Sequence, residues 1–244
     1  HPSFVMYSFY CRVNLARFVP VQLRHPHFQP NPDEIISSRP SVVLIASPNN
    51  PTGNVIDVAI IRRVIEKSHA VVVIDEAYCD FSNQNLIRLA LKHRNVIVTR
   101  SFSKAYGLAG LRVGFACGHE SLLDRLYAVK PPFTVNVFSE IAAIEALRDD
   151  SFRTQTVQLV KRERQRLASN LSKLGCRPYP SEANFILVDI GRSGREIAAR
   201  LRKSGILVRE LSDFSGLENC IRITVGKPQH NDRFLRALSD ALKR

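Results

Sequence analysis

Lys104 stands among small, mostly uncharged residues in VTRSFSKAYGLAGLRVGF, Val98 to Phe115, just past an apolar run that ends in Ser101. A lysine taken out of water is costly unless something uses its amine. Ser101 and Ser103 precede it, and Arg112 lies eight residues on. Hydroxyls with an arginine fork make a phosphate clamp. An amine that is partly desolvated and close to fixed positive charge loses basicity and can attack a carbonyl carbon. The plain alternative is a surface lysine in a loop. A second signal is VVVIDEAY, in which Asp75 follows five apolar residues. An ionised carboxylate there needs a cationic partner or strong hydrogen bonds. The protonated nitrogen of a heteroaromatic ring would serve, or Asp75 caps the next turn. A third is SPNNPTG, Ser47 to Gly53, whose prolines, asparagines and glycine make a rigid turn directly after an apolar run.

The elements that must position these groups are legible as short apolar runs. VVLIAS (Val42–Ser47), AVVVID (Ala70–Asp75), NVIVTRS (Asn95–Ser101) and VGFACG (Val113–Gly118) read as strands. Their polarity is continuous, which suggests burial on both faces. Between the first two, VIDVAIIRRVIEKS repeats its apolar residues at helical spacing. The pattern is βαβ, so the fold class is α/β, a mostly parallel sheet sandwiched by helices. In such sheets ligands sit beyond the carboxyl ends of the strands, where all three signals fall. From Val135 the texture changes. Two helices come in succession, VNVFSEIAAIEALRDD and a long one closed by Gly175. NFILVDI, a helix from Ser193 to Ser204, GILVREL, CIRITVG and a terminal helix from about Gln229 complete the chain. We expect residues 1–150 to form part of a large domain and 151–244 a smaller C-terminal α+β domain.

A phosphate, a basic ring nitrogen and an aldehyde are the three features that these signals ask for, and pyridoxal 5′-phosphate has all of them. The ordered set SPNNPTG, VIDEAY, SFSKAYGLAGLRVG, KPPFTVN, EANFILVD and IRITVG resembles the fold-type I pyridoxal-phosphate aminotransferases, the class that includes histidinol-phosphate aminotransferase. The similarity runs from HPSF to the final helix. It implies that Lys104 binds the cofactor aldehyde covalently and shuttles the proton. It also implies that Asp75 pairs with the ring nitrogen, that Asn50 and Tyr78 hydrogen-bond the ring hydroxyl, and that Ser101, Ser103 and Arg112 hold the phosphate. Phe4 would stack on the ring. Asn184 and Arg222 would meet the substrate, and Arg209 with Arg222 would take the phosphate of L-histidinol phosphate. The two arginines are thirteen residues apart and converge only if their strands lie side by side; an ion pair of Arg209 with Glu210 or Glu218 is the alternative.

The activity so implied is transamination of L-histidinol phosphate with 2-oxoglutarate in histidine biosynthesis. The rivals are an aromatic aminotransferase, a threonine-phosphate decarboxylase, or a non-catalytic paralogue of the fold. The resemblance further implies a homodimer, a cytoplasmic location and no metal. Family members also carry an N-terminal segment ahead of the HPSF position, absent from this sequence, with a Gly-rich helix start that serves the phosphate.

Composition is compatible with this. Of 244 residues, 45 % are apolar and 23 % charged, the balance of an ordinary globular protein. No apolar run reaches the length of a membrane helix. The five cysteines are widely spaced without a CxxC pair, which argues against a disulfide framework or a zinc site. The net charge of +13 attracts anions, but it is diffuse apart from KRERQR at Lys161–Arg166. We read that run as a solvated helix face, so nucleic acid is not the expected partner.

Overall fold

The computed structural model describes residues 1–243. The first half is organised by one four-stranded sheet. Its strands are β3 (Val42–Ala46), β4 (Val71–Asp75), β5 (Val96–Ser101) and β6 (Gly114–Gly118), in that spatial order. Ahead of them come helix α1 (Met6–Val13), a small hairpin of β1 (Leu23–Arg24) and β2 (Gln29–Pro30), and α2 (Pro32–Ser37). β3, β4 and β5 are parallel, whereas β6 runs antiparallel to β5. The sheet is therefore mixed. The connection from β5 to β6 holds only a single 3-10 turn, Ala109–Leu111, and no crossover helix, so VGFACG turns back beside β5.

Helix α3 (Val58–Lys67) makes the crossover between β3 and β4, and α4 (Ile87–Lys92) precedes β5. Asp57 caps α3 by accepting the Ala59 N–H at 2.8 Å. Ile61, Val64 and Ile65 then fall on one face and pack with Ile45, Val72, Ile74, Val96 and Val98 in a single core. Burial is not two-sided throughout. Val42 and Leu44 of the edge strand β3 are exposed, and β4 alternates between buried and half-buried residues.

After α5 (Glu120–Val129) and α6 (Val137–Arg148), the long α7 (Asp150–Lys173) leads to a second sheet. α7 ends where Gly175 adopts a left-handed φ of 79°. The second sheet is antiparallel and ordered β7 (Arg177–Pro178), β8 (Phe185–Asp189), β10 (Cys220–Thr224), β9 (Arg209–Glu210). Helices α8 (Gly194–Lys203) and α9 (Pro228–Lys243) cover it. GILVREL contributes only two residues of strand, because Leu207 points to solvent and only Arg209 and Glu210 pair with β10. α1, α2, α4 and α5 add to the helices expected from the sequence, and of these α2 does carry start signals, with Asn31 capping it and Pro32 opening it. Neither α1 nor α4 has a capping side chain, and neither α1 nor α5 buries a residue, so the usual signals of a helix are weak there.

KRERQR is not simply a solvated face. Glu163 is 3 % exposed and is held by Arg166 and Asn231, while Arg164 donates to the Ala183 carbonyl at 2.7 Å. α7 packs between the two halves, so half of the run serves internal contacts. All five cysteines are free thiols. Among the described residues, no helix is long and apolar enough to cross a membrane.

Candidate active site

The carboxyl ends of β3, β4 and β5 meet at one cavity of about 240 Å³. Its walls include Phe4, Asn50, Asp75, Tyr78, Ser101, Ser103, Lys104 and Arg112. Every cofactor-site residue expected from the sequence is thus brought to one place. Asn184, Arg209 and Arg222 are outside its walls, on or beside the second sheet.

Asp75 ends β4, one strand over from Ser101 at the end of β5. Its Oδ1 accepts the Ala77 N–H at 3.0 Å, so it does tie down the next turn, as an N-cap would. Its Oδ2 accepts a hydrogen bond from the Tyr7 hydroxyl at 2.7 Å. A carboxylate has about four acceptor positions, so capacity remains for a ligand.

Lys104 lies in the turn after β5 and is half-buried. Its Nζ is 5.5 Å from the centroid of the Tyr78 ring. Burial lowers the lysine pKa, the positive charges of Arg222 and Arg112 lower it further, and Asp75 opposes them. The amine is therefore easier to deprotonate than an exposed one, as nucleophilic use requires. Tyr78 is pushed the other way, mainly by burial, with Arg222 opposing and Asp75 reinforcing.

Ser101, Ser103 and Arg112 line the cavity together and could hold an anion. Ser101 Oγ accepts the Ser103 N–H at 3.1 Å and so keeps its own hydroxyl proton free to donate. Arg112 has a left-handed backbone, φ 54°, and its Nη1 donates to the Ala109 carbonyl at 2.9 Å. Gly114 lets β6 close against this wall, since a Cβ there would lie 2.6 Å from the Arg100 carbonyl oxygen.

The donor set fits pyridoxal phosphate. It pairs hydroxyls and a guanidinium for a phosphate with a carboxylate for a ring nitrogen and an amine of lowered basicity for an aldehyde. Asn50 adds an amide whose Oδ1 accepts from Arg222, which leaves its NH₂ as the remaining donor.

Arg222 comes from β10, in the other half of the chain. It stacks over Phe185, 4.9 Å from the ring centroid, and Phe185 meets Tyr78 edge-on at 5.2 Å. Its Nε is buried without a hydrogen-bond partner. Burial lowers its pKa, Tyr78 opposes, and Arg209 lowers it again. Arg209 lies directly opposite Arg222 across the β9–β10 pair, and among the described residues it forms no ion pair with Glu210 or Glu218. Glu210 instead accepts from Ser212, and Glu218 accepts the Gly216 N–H. Asn184 is half-buried, and its carbonyl accepts the Val225 N–H at 2.9 Å, next to β10.

Contacts between the halves hold this arrangement. Glu182 accepts from the Ser82 hydroxyl at 2.5 Å and the Asn83 N–H at 2.9 Å, and its own N–H donates to the Gly53 carbonyl at 2.7 Å. Gly53 has φ 81°, and a Cβ there would lie 2.5 Å from Ser181 Oγ; only glycine lets SPNNPTG approach EANF so closely.

Sequence reasoning missed four participants. Asn49, beside Asn50 and 1 % exposed, is structural: it bonds Ser3, Pro2 and Thr52 and so anchors the segment that carries Phe4. Tyr7 bonds Asp75, and Phe185 bridges Tyr78 to Arg222. Glu76 is the fourth. Its fully buried carboxylate accepts from Arg100 at 2.7 and 2.9 Å and from the Leu86 N–H at 2.6 Å. This pair ties the ends of β4 and β5 together beside the cavity. Glu76→Gln leaves Arg100 uncompensated and is expected to cost about 3 kcal/mol of stability, read as a lower urea midpoint with an unchanged slope.

A larger groove, about 680 Å³, runs along α1, residues 16–23 and β3. It shares Phe4 with the site but is lined by neither Asp75, Lys104 nor Arg112.

Known proteins are similar to this chain over nearly its whole length. The histidinol-phosphate aminotransferase of Thermoanaerobacter pseudethanolicus is 40 % identical over 247 aligned residues, which cover 99 % of this chain and 70 % of that one. The crystal structure of the histidinol-phosphate aminotransferase from Clostridium acetobutylicum superposes with a TM-score of 0.93 at 25 % identity, over 99 % of this chain and 76 % of that one. The Sinorhizobium meliloti histidinol-phosphate aminotransferase, solved in complex with pyridoxal-5′-phosphate, gives 0.90 at 26 % identity, over 99 % and 68 %. The model of the family Aminotransferase class I and II matches residues 1–238. With that match extending from the residues before Phe4 into the last helix, the chain belongs to the class I and II aminotransferases.

Proposed function

We propose that this chain transfers the amino group of L-histidinol phosphate to 2-oxoglutarate, a step of histidine biosynthesis, with pyridoxal 5′-phosphate as cofactor. The observation that carries the substrate assignment is the direct pairing of Arg209 with Arg222 beside Asn50. Two like charges facing each other are unfavourable unless an anion lies between them. Arg222 also keeps a buried N–H without a partner. A phosphate monoester satisfies both, and a carboxylate of the second substrate can use Arg222 in the other half-reaction.

When bound, the cofactor supplies an aldehyde that exchanges amino groups and a protonated ring that withdraws electrons from the substrate Cα. The protein's residues do the rest. Lys104 holds the cofactor through Nζ and, once released, carries the proton to and from the substrate carbon. Its lowered basicity favours the free amine that a base must present. Asp75 holds the proton on the ring nitrogen. Tyr78 and the Asn50 amide donate to the ring hydroxyl, and Ser101, Ser103 and Arg112 grip the phosphate. Phe4 covers one ring face and limits water. Asn184 lies beside the substrate.

Residues 1–150 act as part of the large cofactor-carrying domain and 151–244 as the small domain that brings the substrate arginines. The protein works as a homodimer in the cytoplasm. Support for the dimer comes from α6, where Phe138, Ile141, Ile144 and Leu147 are all exposed on a helix that buries only Ser139 and Ala143.

Steady-state kinetics with two amino donors test the assignment. Arg209→Ala is expected to lower kcat/KM for L-histidinol phosphate about ten- to a hundred-fold, the worth of one charge-assisted hydrogen bond. L-histidinol, which lacks the phosphate, should respond little. Equal losses for both donors, or efficient transfer from aromatic amino acids in place of histidinol phosphate, would overturn the substrate assignment. Product analysis separates transamination from release of carbon dioxide.

A further inference from the structure

Tyr7 belongs to the first turn of α1, and neither a phosphate nor a substrate requires it. Its hydroxyl nevertheless donates to Asp75 Oδ2 at 2.7 Å, across 68 residues of sequence. The segment is well anchored. Ser3 donates to Asn49 Oδ1 at 2.8 Å, and Asn49 Nδ2 donates to the Pro2 carbonyl at 3.0 Å. The Phe4 and Tyr7 rings meet edge to face, with centroids 5.6 Å apart. One short stretch thus carries both a side chain in the cavity wall and a donor to the carboxylate that shares that wall.

We infer that Tyr7 is a positioning residue for the reaction, whose hydroxyl holds the Asp75 carboxylate in place and aims it at the ring nitrogen of the cofactor. The inference rests on the pyridoxal-phosphate reading of the cavity. Two donors, Tyr7 Oη on Oδ2 and the Ala77 N–H on Oδ1, engage both oxygens and remove the rotational freedom of the carboxylate. A hydrogen bond to the ionised form of an acid stabilises that form. The alternative for the pair, a neutral acid facing a neutral ring, is disfavoured by the same bond.

The other ionisable groups that face Asp75 are Tyr78 and Lys104, and Arg222 and Arg112 in turn act on Lys104. None of these donates a hydrogen bond to Asp75, so the task falls to Tyr7 and the Ala77 amide. Burial, the charge of Asp75, their hydrogen bond and Tyr78 all push the Tyr7 pKa upward. The phenol therefore stays a donor throughout the working pH range.

The test is a pH titration of the visible absorption of cofactor-loaded protein, wild type against Tyr7→Phe. Phenylalanine keeps the ring and its contact with Phe4 and removes only the hydroxyl. Without it, positive charge is held less firmly on the ring, and the nitrogen joined to Lys104 becomes more basic. The midpoint of the titration is expected to rise by about one pH unit, as loss of one hydrogen bond to a charged group predicts. kcat should fall about tenfold with little change in KM, because the bond matters most when the ring takes up electrons. In an Asp75→Asn background, Tyr7→Phe should move neither quantity further. A wild-type midpoint in Tyr7→Phe overturns the inference, and so does a full Tyr7→Phe effect when Asp75 is already asparagine. Absence of any visible band in the wild type would instead sink the cofactor reading, and the inference with it.

Discussion

Lys104→Ala is expected to abolish transamination, lowering kcat by about 10⁴-fold or more. The turn after β5 holds this amine at the cavity wall, 5.5 Å from the Tyr78 ring centroid, and no other lysine lines the cavity. On the proposed function, its removal takes away two roles together, the covalent hold on the cofactor and the base that moves the substrate proton. A positioned base alone contributes about 10²–10⁴-fold, and a 10⁴-fold loss corresponds to about 5.5 kcal/mol. Lys104→Arg is the sharper control. It keeps a positive charge near the phosphate clamp, but its guanidinium stays protonated and cannot bond the aldehyde. Loss in both variants assigns the effect to the amine rather than to the charge. Borohydride reduction of the loaded wild type should leave the cofactor on the peptide that contains Lys104. Labelling of any other lysine, or activity within tenfold of wild type in Lys104→Ala, would refute the assignment.

Asp75→Ala should be the next most damaging change, lowering kcat by about 10²–10³-fold, or about 3–4 kcal/mol of transition-state stabilisation. The carboxylate sits at the end of β4, fixed by Ala77 and Tyr7 before any ligand arrives. A charge preorganised in a dry site costs no reorganisation when the ring takes up electrons, so its removal is felt mainly in kcat. Alanine also strands the Tyr7 hydroxyl, which adds a stability cost of about 1–3 kcal/mol. Asp75→Asn retains an acceptor for Tyr7, so it should spare stability and still lose most of kcat. Single-turnover rates at saturating cofactor separate the two effects. Equal kcat in Asp75→Asn and wild type would exclude a role for the charge.

Much of this site was legible without coordinates. SPNNPTG, VIDEAY and SFSKAYGLAGLRVG each come directly after an apolar run, and parallel strands deliver the loops at their carboxyl ends to one edge of a sheet. That geometry is enough to predict that Asn50, Asp75 and Lys104 share a cavity, and they do. The helices over 58–67, 137–148 and 194–203 were legible from their apolar spacing, whereas the start of α7 at Asp150, capped by Asp149, falls inside a run that reads as the end of the helix before it. The direction of β6, the two-residue length of β9 and the internal engagement of KRERQR were not. Each depends on the groups that pack against the segment rather than on its own pattern.

By itself the sequence carried the candidate groups and their order: Asp75 at the end of one strand, and Ser101, Ser103, Lys104 and Arg112 at and after the end of the next. Local periodicity reports which face of an element is apolar and where it stops, and those facts travel with a few neighbouring residues. Only the tertiary structure decided the support of that chemistry, namely Tyr7 on Asp75, Arg222 on Asn50 across 172 residues, and Arg209 opposite Arg222. Such pairings are set by the packing of distant segments, and no short stretch of chain carries the information that selects its partner.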